Sequence, residues 1–481
     1  MRSLLPRLLA VFLLFLGVIH IDVSAQNESE IKAIETNLTP SLQIKGEPVE
    51  KMTVEEIMAA YSVVNLSVAV IKDGKVKWAK GYGKANDEGS MVDKNTLFQA
   101  ASISKPVAAA GIHKLVQMGK LDLDKDVNEY LTSWKVPPSN FTDKEKVTLR
   151  RLMTHSAGTT VHGFPGYGPD EIFPTDVMVL NGDGNTDAVV VDTTPGVINR
   201  YSGGGYTIME RVMEDVTEQD FASFMKDEIL IPFGMEQSTY EQPLPEDRIN
   251  QASFAYNREG GLYPGNYHHY PEQAAAGLWT TPSDLANFLI GIQNAYAGNF
   301  SNPINQEMAK IFLTRHTLGH GHGPGLMGEG DDLAFGHGGK NAGFTCNMYA
   351  SAKNGYGMII MSGSDGARPV IDAVQRSIAE YYGWEWEKAE VIELIDISDE
   401  DLLGYCGNYF YKPASMTVTL TPVSGKLRVE VQSVEQAMLH HLGNHQFIDM
   451  SDGTRIQFLM DESGKCTGLI QGGRVELEKI E

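Results

Sequence analysis

The segment from Ser102 to Met118 restricts the possible folds of this chain more than any other stretch. Its spacing is helical, and its apolar residues cover most of the helix circumference: Ile103, Val107, Ala108, Ala110, Ile112, Leu115 and Val116. Pro106 fits a helix that begins near Ser102, because proline is tolerated in a first turn. Such a helix must be surrounded by protein. A chain of 481 residues, 42% of them hydrophobic, is long enough to bury it and to form more than one domain.

Predicted strands and helices lie on both sides of this helix. Leu66 to Ile71 and Val76 to Gly83 are rich in β-branched residues, and the Asp73-Gly74 pair between them predicts a hairpin at or near the edge of a sheet. The stretch from about 120 to 330 mixes helical segments with loops rich in Gly and Pro. Further predicted elements are a helical stretch over Thr207 to Ile231, strands over Gly343 to Ala352 and Tyr356 to Ser364, and a helix over Ala367 to Trp384.

The pattern changes beyond about Asp396. Apolar residues occupy every second position in Met416-Val418-Leu420 and Leu427-Val429-Val431, as on strands with one buried face. Further runs follow at 446–450, 455–460 and 475–480, with Gly or Asp-Gly turns between them. We therefore predict an all-β domain over residues 396–481, either a small barrel or a sandwich. Cys406 and Cys466 would pair only if their strands adjoin, and free thiols are the preferred interpretation.

The first 25 residues are typical of an export signal. Leu8 to Ile19 is an apolar run between basic residues and the small residues Val23-Ser24-Ala25, which suit a cleavage site. The run is too short to span a bilayer as a helix, so we expect no stable membrane span once the signal is removed. An uncleaved anchor is the less favoured alternative, because Asp22 interrupts the run. Residues 26–50 are polar and predict a linker or a short first helix. The expected location is periplasmic or secreted.

Charge narrows the choice of partners. The chain carries 39 Lys and Arg against 62 Asp and Glu, a formal net charge of -23, with no run of clustered basic residues. Proteins that bind nucleic acid neutralise phosphates with such clusters, so nucleic acid is excluded as an expected partner. The negative charge is best explained by the solubility of a secreted protein.

One short motif remains after the common catalytic signatures have been excluded. The sequence holds no GxSxG elbow, HExxH pair or Walker loop. Ser-x-x-Lys occurs three times, at Ser29, Ser102 and Ser223. Ser29 lies in the polar leader and Ser223 in the middle of an amphipathic helix, whereas Ser102 opens the buried helix with Lys105 one turn later on the same face. Burial favours the neutral amine that could take a proton from serine, so Ser102 and Lys105 are the predicted nucleophile and base.

Eight stretches in order resemble the serine β-lactamase and penicillin-binding protein superfamily, in particular its class C-like branch. They are IKDGKVKWAKGYG, TLFQAASISK, GKLDLDKDVNEYL, VTLRRLMTHSAGT, TPGVINRYSGGGY, ILIPFGMEQSTY, AAAGLWTTPSDLANF and FGHGGKNAGF. The resemblance implies an α/β (α+β) fold over residues 51–392, with an antiparallel sheet flanked by helices and a helical subdomain. The segment that starts at Leu403 resembles the barrel-like domain appended to many such hydrolases.

The resemblance also implies roles for individual residues. Ser102 matches the acylated nucleophile, Lys105 its base, and Tyr201 the tyrosine that shares proton transfer with the leaving group. His337, Gly338 and Gly339 match the third motif, on the strand that lines the substrate groove. The backbone N–H groups of Ser102 and Lys340 would form the oxyanion hole. His155 is expected to support the active-site loop and not to transfer protons.

Two departures from the family pattern affect the expected substrate. The tyrosine motif ends in Gly203 where β-lactamases of this branch have Asn, and the third motif begins with His337 where they have Lys. Both changes weaken the case for efficient β-lactam hydrolysis. The resemblance implies a carboxypeptidase- or aminopeptidase-like enzyme that hydrolyses amide bonds in D-amino-acid-containing peptides, cell-wall peptides included. The alternatives are ester hydrolysis, weak β-lactamase activity, or a penicillin-binding sensor with negligible turnover.

No cofactor or metal is expected. His316, His320 and His322 lie among glycines, with a spacing that matches no common metal site, and are assigned to a loop over the groove. Asp183-x-Asn185-x-Asp187 imitates the start of a calcium loop, but Ala188 replaces the required Gly and Thr194 the final Glu. We therefore assign residues 183–187 to a surface turn. Ala275-Ala276-Gly277 resembles a small-residue stretch beside the groove of relatives.

Overall fold

A computed structural model describes residues 23–300, 303–316, 320–386, 388–431, 434–450 and 453–480. Residues 1–22, which hold most of the expected export signal, lie outside the described residues. Within the described ranges, no helix is both long and apolar enough to cross a membrane. The helices are α1 Val23–Glu35, α2 Val54–Ala60, α3 Ser104–Gln117, α4 Leu149–Met153, α5 Asp176–Asn181, α6 Gly203–Thr217, α7 Phe221–Met225, α8 Gln273–Ala276, α9 Pro282–Ala297, α10 Gln306–Phe312, α11 Arg368–Tyr382 and α12 Asp399–Leu402.

The strands form a central sheet, a barrel and two short pairs. They are β1 Leu42–Ile44, β2 Asn65–Lys72, β3 Lys75–Gly83, β4 Phe98–Gln99, β5 Trp279–Thr280, β6 Gly325–Met327, β7 Ala334–Asn341, β8 Phe344–Ser351, β9 Gly357–Ser362, β10 Glu390–Ile392, β11 Gly407–Tyr411, β12 Met416–Val423, β13 Lys426–Val431, β14 Val434–Gly443, β15 Gln446–Asp449, β16 Arg455–Met460, β17 Cys466–Gln471 and β18 Val475–Lys479.

The central sheet is antiparallel throughout, in the order β3-β2-β9-β8-β7-β6. The predicted hairpin is confirmed: Lys72 pairs with Lys75, and Asp73 and Gly74 both take positive φ, as a two-residue turn between twisted strands requires. Strand β3 forms one edge of the sheet. The predicted antiparallel sheet flanked by helices is therefore confirmed.

Strand β2 explains why helices cover both faces of the sheet. Its side chains alternate, with Val68 and Val70 packed in one core and Ala69 and Ile71 in the other. The first core contains residues of α1, α2 and α11, and the second contains the helical region with α3, α6 and α9. A strand buried on both faces has no solvent-exposed side, which agrees with a stretch from Leu66 to Ile71 that is apolar except for Ser67.

Residues 26–50, predicted as a linker or a short first helix, continue α1 and pack on the domain. Ile34 and Leu38 are buried in the same core as α11, and Ser377 Oγ donates a hydrogen bond to the Ile34 carbonyl at 2.7 Å. Strand β1 pairs in parallel with β10. Contacts distant in sequence thus hold this segment, and its own polar composition does not reveal them.

The stretch predicted as helical from Thr207 to Ile231 is divided into α6, α7 and a π-helical turn over residues 226–230. Helix α6 ends at Thr217, and the C-cap residue Glu218 adopts a left-handed conformation with φ of 57°. Asp220 then caps α7 by accepting a hydrogen bond from the Ser223 backbone N–H. Helical periodicity alone could not locate this break, because both segments face the same core.

The C-terminal domain is a closed barrel of eight antiparallel strands, β11 to β18, in which β18 pairs back with β11. The prediction of an all-β domain is confirmed, and of its two alternatives the barrel is correct. Alternate strand residues fill the interior, among them Tyr409, Leu427, Phe447 and Phe458. The three cysteines are free thiols, which confirms the preferred interpretation of Cys406 and Cys466.

Candidate active site

The nucleophile candidate lies in the tight turn that leads into α3. Residues Ala101–Ile103 form one 3-10 turn, and α3 follows with almost every residue buried. Ala101 takes a φ of +50°, which is unfavourable for a residue with a Cβ. Ser102 itself is half-buried, so its hydroxyl group is reachable while the turn beneath it is packed.

Lys105 is brought against Ser102 as predicted from their spacing. Its side chain is only 2% exposed, and its Nζ lies 3.1 Å from Ser102 Oγ. The same Nζ donates a hydrogen bond of 2.7 Å to the Ala275 carbonyl in α8. This contact gives the small-residue stretch at 275–277 a definite position beside the site. A buried amine next to a serine hydroxyl is the arrangement that a lysine base needs.

Tyr201 lies over the same amine. Lys105 Nζ is 5.0 Å from the centre of the Tyr201 ring, which precedes the N-terminus of α6. The His155 ring packs on Tyr201 with a centroid separation of 4.2 Å, and His155 Nδ1 accepts a hydrogen bond from the Ser202 backbone N–H. Burial and the charge of Lys105 lower the pKa of His155 well below its usual value. His155 is thus a neutral support for the tyrosine segment, in keeping with the role expected for it.

Strand β7 carries the His-Gly-Gly triplet along the other side of the turn. A Cβ on Gly339 would lie 2.3 Å from the Ala100 carbonyl oxygen and 2.4 Å from Cys346 Sγ. Only glycine allows the strand to approach the nucleophile turn this closely. Cys346 Sγ also donates to the Ala100 carbonyl at 3.0 Å, which holds β8 to the same turn. Lys340, the predicted second oxyanion donor, follows Gly339 directly, and its role as a donor stays a prediction.

The triplet offers little positive charge. Partial burial and the proximity of Lys105 lower the pKa of His337 to about 4, so the imidazole is neutral at pH 7. Lys340 forms an ion pair with Asp365. Burial raises the pKa of Asp365, but its hydrogen bonds with Lys340 and Tyr263 outweigh burial and lower it overall. The groove therefore has no uncompensated cation on β7.

Sequence reasoning missed the residues that join these elements. Asn341 Nδ2 donates to Gln99 Oε1 at 2.8 Å and to the Ala276 carbonyl at 3.2 Å, which connects β7, β4 and α8. His162 was also missed; its ring lies 5.0 Å from that of Tyr201. Asn341 lies two residues after the third motif and His162 lies outside the eight stretches, and their contacts with Gln99, Ala276 and Tyr201 depend on the fold.

The other singled-out histidines lie at different depths. The His320 ring contacts that of His155 at a centroid separation of 5.5 Å, whereas His322 is 1% exposed and stacks on the buried His113. Burial lowers the pKa of His322 to about 2 and that of His113 to about 3, so both are neutral. No three His, Cys, Asp or Glu side chains are arranged to hold a metal ion in the described part of the chain.

A family model described as Beta-lactamase matches residues 51–380. The chain belongs to the β-lactamase family. The resemblance inferred from the eight stretches is thereby confirmed, and members of this superfamily are hydrolases.

Individual relatives are distant. Teichoic acid D-alanine hydrolase of Staphylococcus aureus is 24% identical over 251 residues, which are 51% of this chain and 59% of that protein. The chain thus spans about three fifths of the length of this curated relative. The octameric penicillin-binding protein homologue from Pyrococcus abyssi superposes on this chain with a TM-score of 0.61 at 22% identity. The match covers 89% of this chain and 98% of the Pyrococcus chain. The D-amino acid amidase from Ochrobactrum anthropi SV3 has a TM-score of 0.56 at 19% identity. That match covers 74% of this chain and 99% of the amidase chain. Both structures show the shared fold.

The close approach at Gly339 predicts a specific defect in this β-lactamase-family domain. Gly339→Ala forces β7 away from Ala100, so the free energy of unfolding should fall by about 1–3 kcal/mol. Urea denaturation measures this effect. Gly338→Ala is the matched comparison, because its Cβ would have no neighbour nearer than 3.8 Å and should change stability by less than about 0.5 kcal/mol. Equal stability of the two variants would contradict the packing argument.

Glu272, immediately before α8, makes stability depend on pH. It is 0% exposed, neither carboxylate oxygen has a partner among the described residues, and burial raises its pKa to about 8. The unfolded carboxyl ionises near pH 4, whereas the folded one keeps its proton, so the free energy of unfolding falls as the pH rises from about 4 to about 8.

Glu272→Gln removes this titration. The variant should be more stable than the wild type by about 1–3 kcal/mol at pH 8 and nearly equal to it at pH 4, as measured by urea unfolding at both pH values. Glu246→Gln changes an exposed carboxyl and serves as the control, with no such pH-dependent difference expected. A Glu272→Gln difference that is the same at both pH values would refute the assignment.

Proposed function

We propose that this β-lactamase-fold hydrolase is an exported serine hydrolase that forms an acyl-enzyme on Ser102. The separation of 3.1 Å between Ser102 Oγ and the buried Lys105 Nζ carries the proposal. Lys105 accepts the hydroxyl proton while Oγ attacks the carbonyl carbon of the substrate. The Ser102 and Lys340 backbone N–H groups stabilise the oxyanion, and Tyr201 passes a proton to the leaving group. Water then attacks the ester on Ser102 and releases the acid.

The proposed substrate is an amide or ester of a D-amino acid, in a small molecule or a peptide, cell-wall peptides included. The names of two relatives, a teichoic acid D-alanine hydrolase and a D-amino acid amidase, support this choice. The neutral His337 and Gly203 in place of the family's lysine and asparagine argue against efficient β-lactam hydrolysis. Amide cleavage is the preferred reaction, with carboxylic-ester hydrolysis as the alternative.

A labelling experiment tests the nucleophile. A fluorophosphonate probe should label the wild type with one adduct, which peptide mapping places on Ser102. Ser102→Ala should lose both the label and, by at least about a thousandfold, the turnover of D-alanyl p-nitroanilide and p-nitrophenyl esters. Ser223→Ala removes the exposed serine of another Ser-x-x-Lys and should behave as wild type. Full labelling of Ser102→Ala would rule out the mechanism, and labelling without turnover would favour the sensor alternative.

Charge at position 337 predicts the response to β-lactams. His337→Lys adds a cation at the position where the family binds the β-lactam carboxylate, so the second-order rate of acylation by a fluorescent penicillin should rise about 3- to 10-fold, and less at high salt. His337→Gln is neutral and should resemble the wild type. Equal rates for the two variants would show that charge at position 337 does not limit the reaction.

Export is tested separately. The proposed periplasmic or secreted location predicts that the full chain, expressed in a bacterium, is found outside the cytoplasm with its N-terminus near residue 26. Cell fractionation followed by N-terminal sequencing measures both. An intact N-terminus on cytoplasmic protein would contradict the proposal.

A further inference from the structure

An open surface cavity of about 860 Å³, lined in part by His162, has no role in the mechanism above. It lies between the loop at 160–163 and the turn at 182–190. His162 stands at the junction, exposed to solvent, with its ring 5.0 Å from that of Tyr201. The Tyr201 ring is in turn 5.0 Å from Lys105 Nζ. A substrate held at Ser102 would therefore reach the cavity only with atoms several bonds from its scissile carbonyl.

The backbone at the cavity mouth is strained. Val161 has a φ of +60°, which is an outlier for a β-branched residue. Three hydrogen bonds from the start of α6 hold the loop in this conformation. Ser202 Oγ donates to the Thr160 carbonyl at 2.7 Å. The backbone N–H groups of Gly204 and Gly203 donate to the Val161 and His162 carbonyls at 3.1 and 3.0 Å, respectively. The loop is thus held in one conformation by the segment that carries Tyr201.

The loop at 160–163 and the neighbouring Phe164 occupy the space next to Gly203. A Cβ at position 203 would lie 2.8 Å from Phe164 Cε2 and 3.2 Å from the His162 carbonyl oxygen. A side chain at position 203 would therefore have to displace the Phe164 ring and press on the His162 carbonyl group. The loop and the turn behind it are the surfaces that the substrate meets on this side.

The cavity lining carries one carboxylate and no basic side chain other than His162 among the described residues. Its polar side chains are those of Thr160, His162, Asn185, Thr186 and Asp187, and no Lys or Arg is among the described residues that line it. Asp187 is exposed and has a carboxylate to offer. A carboxylate with no lysine or arginine beside it attracts an ammonium group and repels a second carboxylate.

We propose that this cavity is a substrate subsite that binds a protonated amine remote from the scissile bond, with Asp187 as its anionic contact and His162 as the wall towards Tyr201. The turn at 183–187 is then part of substrate recognition and is more than the surface turn expected from its sequence. The inference rests on the proposed function, because it assigns a further contact to a substrate that acylates Ser102.

Three N-acyl-D-alanine p-nitroanilides of equal chain length test it: the 6-aminohexanoyl, hexanoyl and adipoyl derivatives end in an ammonium, a methyl and a carboxylate group. With the intact protein, kcat/KM should be about 5- to 10-fold higher for the ammonium than for the methyl compound and lowest for the carboxylate. The advantage should shrink as ionic strength rises.

Two matched variants locate the contact. Asp187→Asn should reduce the ammonium-to-methyl ratio to about 1 and leave kcat/KM for the methyl compound within about 2-fold of wild type. Asp183→Asn removes a neighbouring exposed carboxylate that does not line the cavity, and should keep the full ratio. A ratio that survives Asp187→Asn, or equal kcat/KM for the three compounds, would overturn the subsite while the hydrolase stands. If none of the three acylates Ser102, the proposed function fails and the subsite with it.

Discussion

The burial of Lys105 is the constraint on which the rest of the site depends. An amine in a position only 2% exposed loses its hydration, and such a loss is costly unless polar partners replace water. Its partners are Ser102 Oγ, the Ala275 carbonyl, and the faces of Tyr201 and Tyr206 at 5.0 and 5.6 Å. Ser102 lies in the turn before α3 and Ala275 in α8. Tyr206 lies in the first turn of α6, and Tyr201 lies two residues before that helix. Satisfying one amine therefore fixes the relative positions of three elements distant in sequence.

The predictable part of the molecule is the part in which local pattern and final environment agree. The helix at 104–117 is apolar on every side and is buried on every side; the hairpin turn at Asp73-Gly74 has the positive φ values that such a pair favours; the alternating runs after residue 396 close into a barrel. The proximity of Ser102 and Lys105 was predictable, because residues one helical turn apart lie on the same face, and Lys105 Nζ is 3.1 Å from Ser102 Oγ in the structure. Asn341, His162 and the fixed path of the N-terminal segment could not be found, since each depends on a contact with a residue more than 35 positions away.

Electrostatics in the site follow from the same buried amine. Burial and the proximity of Lys105 together lower the pKa values of His155 and His337, so these two imidazoles stay neutral at pH 7. Lys340 is paired with Asp365. A protein with a net charge of -23 thus has no unpaired cation on β7 to offer an anionic substrate. Local and global charge agree in disfavouring a carboxylate near the triplet.

Backbone strain marks the same region. Among the described residues, eleven residues other than glycine have a positive φ. Most of them are polar residues in turns, where Asn, Asp and Ser adopt this conformation at low cost. Ala101 and Val161 are the two apolar exceptions. Ala101 precedes the candidate nucleophile, and Val161 precedes His162, whose ring lies near that of Tyr201. His155, which has a φ of 55°, packs its ring against the same tyrosine. Each such residue costs about 1–3 kcal/mol, which packing elsewhere must offset. The two apolar residues with positive φ thus flank the candidate nucleophile on one side and the His162 segment on the other, so packing fixes the backbone at both positions.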